Sequence, residues 1–182
     1  MEVLEAIQTR VSATKLAAPG PTREHIEQIV AAGVRAPDHG RLRPWRFVVL
    51  EGAAREKLGD AMAELLRSKL PDVTPEQLEK ERNKPMRAPT IIVVAATITK
   101  GKIPEIEQVL AVGAAVQNMF LAANALGYGA MWKTGGAAYH ASVKSLLGLA
   151  PEDHIVALLY LGTAAANGPL IPVPTDEVVR WL

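Results

Sequence analysis

TIIVVAATIT, residues 90–99, is the stretch on which the fold turns. Every residue in it is β-branched or alanine, and polar positions do not alternate with apolar ones, so it reads as a mid-sheet strand covered on both faces. Working outward, Arg46–Leu50 and His154–Gly162 are further apolar runs of strand length, and residues 128–132 form a shorter one. Helical spacing fills the gaps. Leu58, Met62, Leu65 and Leu66 mark an amphipathic helix over 53–70, residues 75–83 a charged one, 105–126 a long one and 140–147 a short one. Towards the N-terminus, Val3, Leu4, Ile7 and Val11 are spaced for a short helix, followed by a polar loop to Pro19-Gly20-Pro21. Thr22 caps a second helix through Ile26, Ile29, Val30 and Val34, closed by Pro37. The order is α, α, β, α, α, β, α, β, α, β, and then an extended tail whose terminal Val178, Val179, Trp181 and Leu182 need somewhere to dock.

A chain of 182 residues fits one domain, here 1–163, with the tail at 164–182. A formal net charge of +1 supplies no field that gathers nucleic acid or anionic lipid, so neither partner is expected. The absence of cysteine removes disulfides, thiolate catalysis and thiolate metal sites. Glu2, Glu5 and Arg10 lie where a signal peptide would be basic and then apolar, which makes a cytoplasmic protein the expectation. Residues 108–132 carry no charge and are long enough to consider a membrane span. Gln117, Asn118 and Asn124 inside that run, with Glu105, Glu107 and Lys133 flanking it, favour a buried core or interface helix. Eight aromatic residues against 29 alanines add a question of packing: small residues on the long helix admit a neighbouring backbone or a flat ligand, and suit a contact between subunits.

Conventional catalytic patterns are absent from the sequence. His25, His39, His140 and His154 are scattered, without HExxH or clustered carboxylates, so no metal site is expected. There is no GxSxG and no P-loop, and Gly127-Tyr128-Gly129 leads into a strand with Trp132 where a dinucleotide fingerprint needs glycine. What remains are polar residues at element ends. Arg10 and Ser12 offer a guanidinium fork and a hydroxyl to a phosphate, or Arg10 simply closes its helix. Arg35 and His39 flank Pro37 in an irregular loop, as ligand contacts or as solvated residues. Gly127–Gly136 brings together an aromatic ring, a cation, a hydroxyl and glycines, or else a core tryptophan and a turn.

In combination these segments resemble the FMN-dependent nitroreductase superfamily. Arg10-x-Ser12, Arg35-Ala36-Pro37-Asp38-His39, Pro44-Trp45-Arg46-Phe47, Arg87-Ala88-Pro89, Gly113–Ala123, Gly127–Trp132 and Tyr160-Leu161-Gly162-Thr163 follow its order, and the length and the APDH segment resemble its compact YdjA-type NAD(P)H nitroreductase branch. The resemblance implies an α+β, nitroreductase-like fold: a central mixed or antiparallel sheet flanked by helices, in an intertwined homodimer with FMN at the interface and the tail on the partner. It implies that Arg10, Val11 and Ser12 hold FMN, that Arg35 and His39 contact it, and that Trp132, Lys133 and Thr134 line its site. Ala122, Ala123, Asn124, Ala125, Leu126 and Gly127 would border NAD(P)H. Two positions depart from the family pattern: Val11 replaces a polar or basic residue and Thr14 a lysine, which leaves Lys15, Arg35 or Lys133 to supply charge near the flavin.

No side chain is then expected to be catalytic, because the cofactor carries the reaction and the protein binds and orients it. The implied activity is a ping-pong oxidoreductase that takes hydride from NAD(P)H and reduces a small-molecule oxidant, nitroaromatic or similarly electron-poor. Reduction of quinones, azo compounds or enones on the same flavin is an alternative. So are a flavin-binding protein with little turnover and a structural dimer without ligand.

Overall fold

The computed structural model describes residues 2–182. Its elements are α1 (Val3–Thr9), β1 (Ala13–Ala17), α2 (Arg23–Gly33), β2 (Trp45–Leu50), α3 (Ala53–Lys69), α4 (Pro75–Arg82), β3 (Thr90–Ala96), α5 (Glu105–Ala125), β4 (Gly129–Lys133), α6 (Ala141–Leu146) and β5 (His154–Asn167). Single turns of 3-10 helix lie at His39–Arg41, Lys84–Arg87 and Gly136–Tyr139. The strands form one five-stranded sheet in the order β1-β5-β3-β2, with β4 also on β5. Every ladder is antiparallel. The 90–99 run lies, as expected, in mid-sheet: all seven residues of β3 are buried, and β2 and β5 flank it.

Successive side chains of a strand point to opposite faces, so β3 and β5 feed two cores. Ile92, Val94, Leu159 and Leu161 pack with Ile29, Val112, Val116 and Met119 of α2 and α5. Ile91, Val93, Leu158 and Tyr160 pack on the other face with Leu58 and Met62 of α3 and Val143 of α6. The α5 alanines divide between the interior and the surface. Ala111, Ala115 and Ala123 are buried in the chain's own core, and a Cβ on Gly33 would stand 2.8 Å from Met119 Cγ, so small residues set the close approach of α2 and α5. Ala114 and Ala122 are half-buried and Ala125 is exposed, and the exposed large hydrophobic residues on α5 are Ile106 and Leu110. The helix is long and apolar enough to cross a membrane by composition, but eight of its residues are buried against the sheet and α2.

Three boundaries differ from the sequence reading. The stretch expected as a polar loop after α1 contains β1, which pairs with the second half of β5 from Ala13↔Asn167 to Ala17↔Thr163. Four of its five residues are exposed or half-buried, so its apolar pattern is weak and the available edge of β5 recruits it. For the same reason β5 runs to Asn167, and residues 164–167, expected in the tail, belong to the sheet. Strand β3 stops at Ala96 instead of Thr99. There the buried Gln108 side chain takes over the backbone: its Oε1 accepts from Thr99 N at 2.9 Å, and its Nε2 donates to Thr99 O at 2.9 Å. Asp153 Oδ1 accepts from Ile98 N at 3.2 Å in the same way.

The two helices of the α3–α4 excursion meet closely, because Gly59 has no Cβ to collide with the Arg82 carbonyl. This contact seats the Lys84–Arg87 turn beside the end of β4, where a cleft opens.

Candidate functional site: a cationic cleft beside β4

Lys133 ends β4 on the sheet face shared with Tyr160 of β5, and its Nζ lies 5.3 Å from the centre of the Tyr160 ring. On one side of this pair is a cavity of about 310 Å³ lined by Met62, Leu65, Leu158 and the cations Lys69, Lys84, Arg87 and Lys133. On the other is a recess of about 40 Å³ lined by Ala13, Thr14 and Leu16 of β1 together with Met131. Both include Arg87, Lys133 and Tyr160, so they make one cleft running from β1 to the Gly135-Gly136 turn. Burial, then the Arg87 and Lys84 charges, hold the Lys133 pKa below the ordinary lysine value. Burial pushes the Tyr160 phenol up to about 12, so it stays a neutral donor. Gly135 takes φ +82°, and no atom lies within 4 Å of where its Cβ would stand, which leaves the turn open to a ligand's approach.

The site residues expected from the sequence fall into three groups. Lys133 and Thr134 line the cleft at the end of β4, whereas the Trp132 side chain alternates to the other face of the strand, where its half-exposed indole donates to Val156 O at 2.9 Å. Arg10 closes α1, half-buried, with its guanidinium 4.8 Å from the centre of the Phe120 ring. Beside it, Val11 shares a cavity of about 190 Å³ with Phe120, Asn124 and Gly127. The phosphate candidates and part of the 122–127 segment are therefore neighbours, whereas the Ala123 side chain is inside the core. Ser12 leads into β1 and its carbonyl accepts from Gly168 N at 2.9 Å.

Arg35 and His39 lie elsewhere. Arg35 is exposed after α2, and His39 pairs with Glu107 in the first turn of α5. Glu107 and Phe120 are about 20 Å apart along that helix at 1.5 Å per residue, so one chain does not bring His39 to Arg10. Lys69, Glu81, Lys84, Arg87 and Tyr160 were not expected as site residues. Arg87 and Tyr160 stand in segments that carried the family resemblance; Lys69 and Lys84 had no signal beyond charge, because the α3–α4 packing brings them to the cleft.

Comparisons with known proteins agree along the whole chain. A family model described as the nitroreductase family matches residues 7–163. YdjA of Escherichia coli K12, assigned by name to the NAD(P)H nitroreductases, is 38% identical over 185 residues that cover all of both chains. A similarly named protein of Haemophilus influenzae is 37% identical, again over both full chains. Among solved structures, a nitroreductase-type protein of Desulfovibrio desulfuricans crystallised in complex with FMN superposes with a TM-score of 0.77 at 29% identity, covering 98% of this chain and 95% of that one. A nitroreductase-like protein of Bacillus cereus superposes with a TM-score of 0.83 at 24% identity over 100% and 96% of the two chains, a likeness of fold.

Proposed function

The chain belongs to the nitroreductase family, and on that premise we propose that it is an FMN-dependent oxidoreductase that oxidises NAD(P)H and reduces electron-poor aromatic compounds, nitroaromatics among them. The observation that carries this reading is the β1 end of the cleft, where Arg87, Lys133, the neutral Tyr160 hydroxyl and the Thr14 hydroxyl converge beside Leu16 and Met131. Such a donor set fits a flat, polar-edged ring with an anionic tail. FMN, bound there, supplies two-electron transfer between NAD(P)H and the oxidant. Arg10 and Ser12 bind its phosphate, Lys133 and Thr134 position the ring, and Asn124 and Gly127 border the nicotinamide nucleotide. The reaction is placed in the cytoplasm, where NAD(P)H is supplied.

The working unit in this reading is a homodimer. Arg35 and His39, remote from Arg10 in one chain, reach the site of the partner, and the exposed Ile106 and Leu110 of α5 supply the apolar contact. The tail beyond β5 exposes Leu170, Ile171, Val173 and Trp181. It docks on the partner at the free edge of β2, where Ile26, Val30, Phe47 and Val49 line a groove of about 780 Å³.

The test is spectroscopic. The purified protein should be yellow, lose its visible flavin absorption on anaerobic mixing with NADH or NADPH, and recover it when a nitroaromatic is added. Bound FMN that neither nucleotide bleaches indicates a flavin-binding protein, and a colourless preparation that takes up no added FMN removes the reading altogether.

Lys133 has a further measurable role. A cation in a half-buried cleft stabilises negative charge on a bound ligand more than it would in water. Lys133→Ala should therefore lower the two-electron midpoint potential of bound FMN while retaining the cofactor, and Arg35→Ala should act in the same direction. A potential unchanged in both variants would remove this role.

A further inference from the structure

The larger part of the cleft has more positive charge than its own residues neutralise. Of the four cations lining it, Lys84 pairs with Glu81 at 2.5 Å, while Lys69, Arg87 and Lys133 have no carboxylate within ion-pair distance among the described residues. Arg87 and Lys133 also face the β1 recess, whereas Lys69 and Lys84 line only the larger cavity. The Lys69 ammonium lies 3.6 Å from where a Cβ on Gly136 would stand, so it overhangs the open Gly135-Gly136 turn. Around these charges, Met62, Leu65, Leu66, Ala137 and Leu158 supply an apolar lining. An apolar lining set with cations, in a volume of about 310 Å³, suits a single aromatic ring bearing an anionic group. Burial, and after it the Arg87 and Lys84 charges, lower the Lys133 pKa, and an entering anion offsets the like-charge part.

We propose that Lys69 and Lys84 form an anion subsite for the oxidant, which makes the enzyme selective for electron-poor aromatics carrying a carboxylate or a comparable anionic group over their neutral isosteres. This rests on the flavin-dependent reading above. The lysines act on binding: the charge to be recognised lies on a ring substituent, away from the group that is reduced. Contacts between charged groups of this kind are worth about a factor of ten in affinity each.

The experiment compares 4-nitrobenzoate with 4-nitrobenzamide on the holoenzyme at saturating NADH. The parent should favour the anion by about tenfold in kcat/KM at low ionic strength, and the preference should shrink in ~0.5 M salt. In Lys69→Gln/Lys84→Gln the anion should lose about tenfold in kcat/KM through KM, while the amide and the rate of flavin bleaching by NADH stay within about twofold; Lys69→Arg should preserve the parent preference. A second readout needs no turnover. Benzoate should raise the melting temperature of the parent and not of the double variant, and benzamide should raise neither. No preference for the anion in the parent, equal losses for both nitro compounds, a selective rise in KM for NADPH over NADH, or loss of FMN from the double variant would each overturn the subsite. Failure of NAD(P)H to bleach the flavin overturns the reductase reading instead; benzoate stabilisation lost in the double variant would then still mark an anion site.

Discussion

Arg10→Ala should leave the protein folded and colourless. In the structure the Arg10 guanidinium is stacked over Phe120, a contact worth about 0.5–1 kcal/mol at a partly exposed position, so its removal costs the fold little. The same guanidinium, donating a bidentate pair of charge-assisted hydrogen bonds to a phosphate, contributes about 1.5–3 kcal/mol for each bond. The expected result is FMN affinity weakened on the order of a hundredfold or more, read as flavin lost on dialysis, with the circular dichroism and melting temperature of the apo-protein close to those of the parent apo-protein. Arg10→Lys should fall between the two, because an ammonium keeps the charge and loses the planar fork. An alanine variant that keeps its flavin through dialysis would return Arg10 to the simpler role of closing α1.

Leu110→Glu should yield a monomer without flavin. Leu110 is 63% exposed within one chain, so a carboxylate there disturbs no internal packing. In the proposed dimer the same position is buried, and an isologous interface imposes the charge twice. Burying an unpaired carboxylate in apolar surroundings costs several kcal/mol, enough to weaken association on the order of a thousandfold. Sedimentation should show the change from dimer to monomer, with helix and strand content retained. Flavin should be lost with it, because Arg35 and His39 reach the site only from a second chain in this reading. A yellow dimeric variant would place the interface elsewhere, and a yellow monomer would show that one chain suffices for FMN.

The elements that the sequence shows most clearly are those whose stability is local or fully buried. The 90–99 run has no polar face to present to water, so mid-sheet placement follows from composition, and the stripe of Ile26 and Ile29 behind Thr22 identifies α2 before any partner is known. Strand β1 is the counterexample. ATKLA has mixed polarity and earns its conformation from the β5 edge, a partner some 150 residues away in the chain. Candidate site residues divide in the same way. Arg10, Ser12, Lys133 and Thr134 sit at element ends with chemistry that can be named in advance, and the ordered motifs around them carry the family resemblance. Lys69 and Lys84 are two lysines among many until the close packing at Gly59 turns them towards Lys133.

By itself, then, the sequence determines the number and kind of most elements, the layering of helices on a sheet, and the family, because periodicity, caps and motif order are properties of short segments. Only the tertiary structure decides that every ladder is antiparallel, that Ala111, Ala115 and Ala123 of α5 fill the interior, that His39 pairs with Glu107 far from Arg10, and that four cations share one cleft. The physical reason is common to all four. Edge pairing, helix approach and charge clustering depend on which distant surfaces meet, and those energies are set by contacts across the chain that no local pattern records.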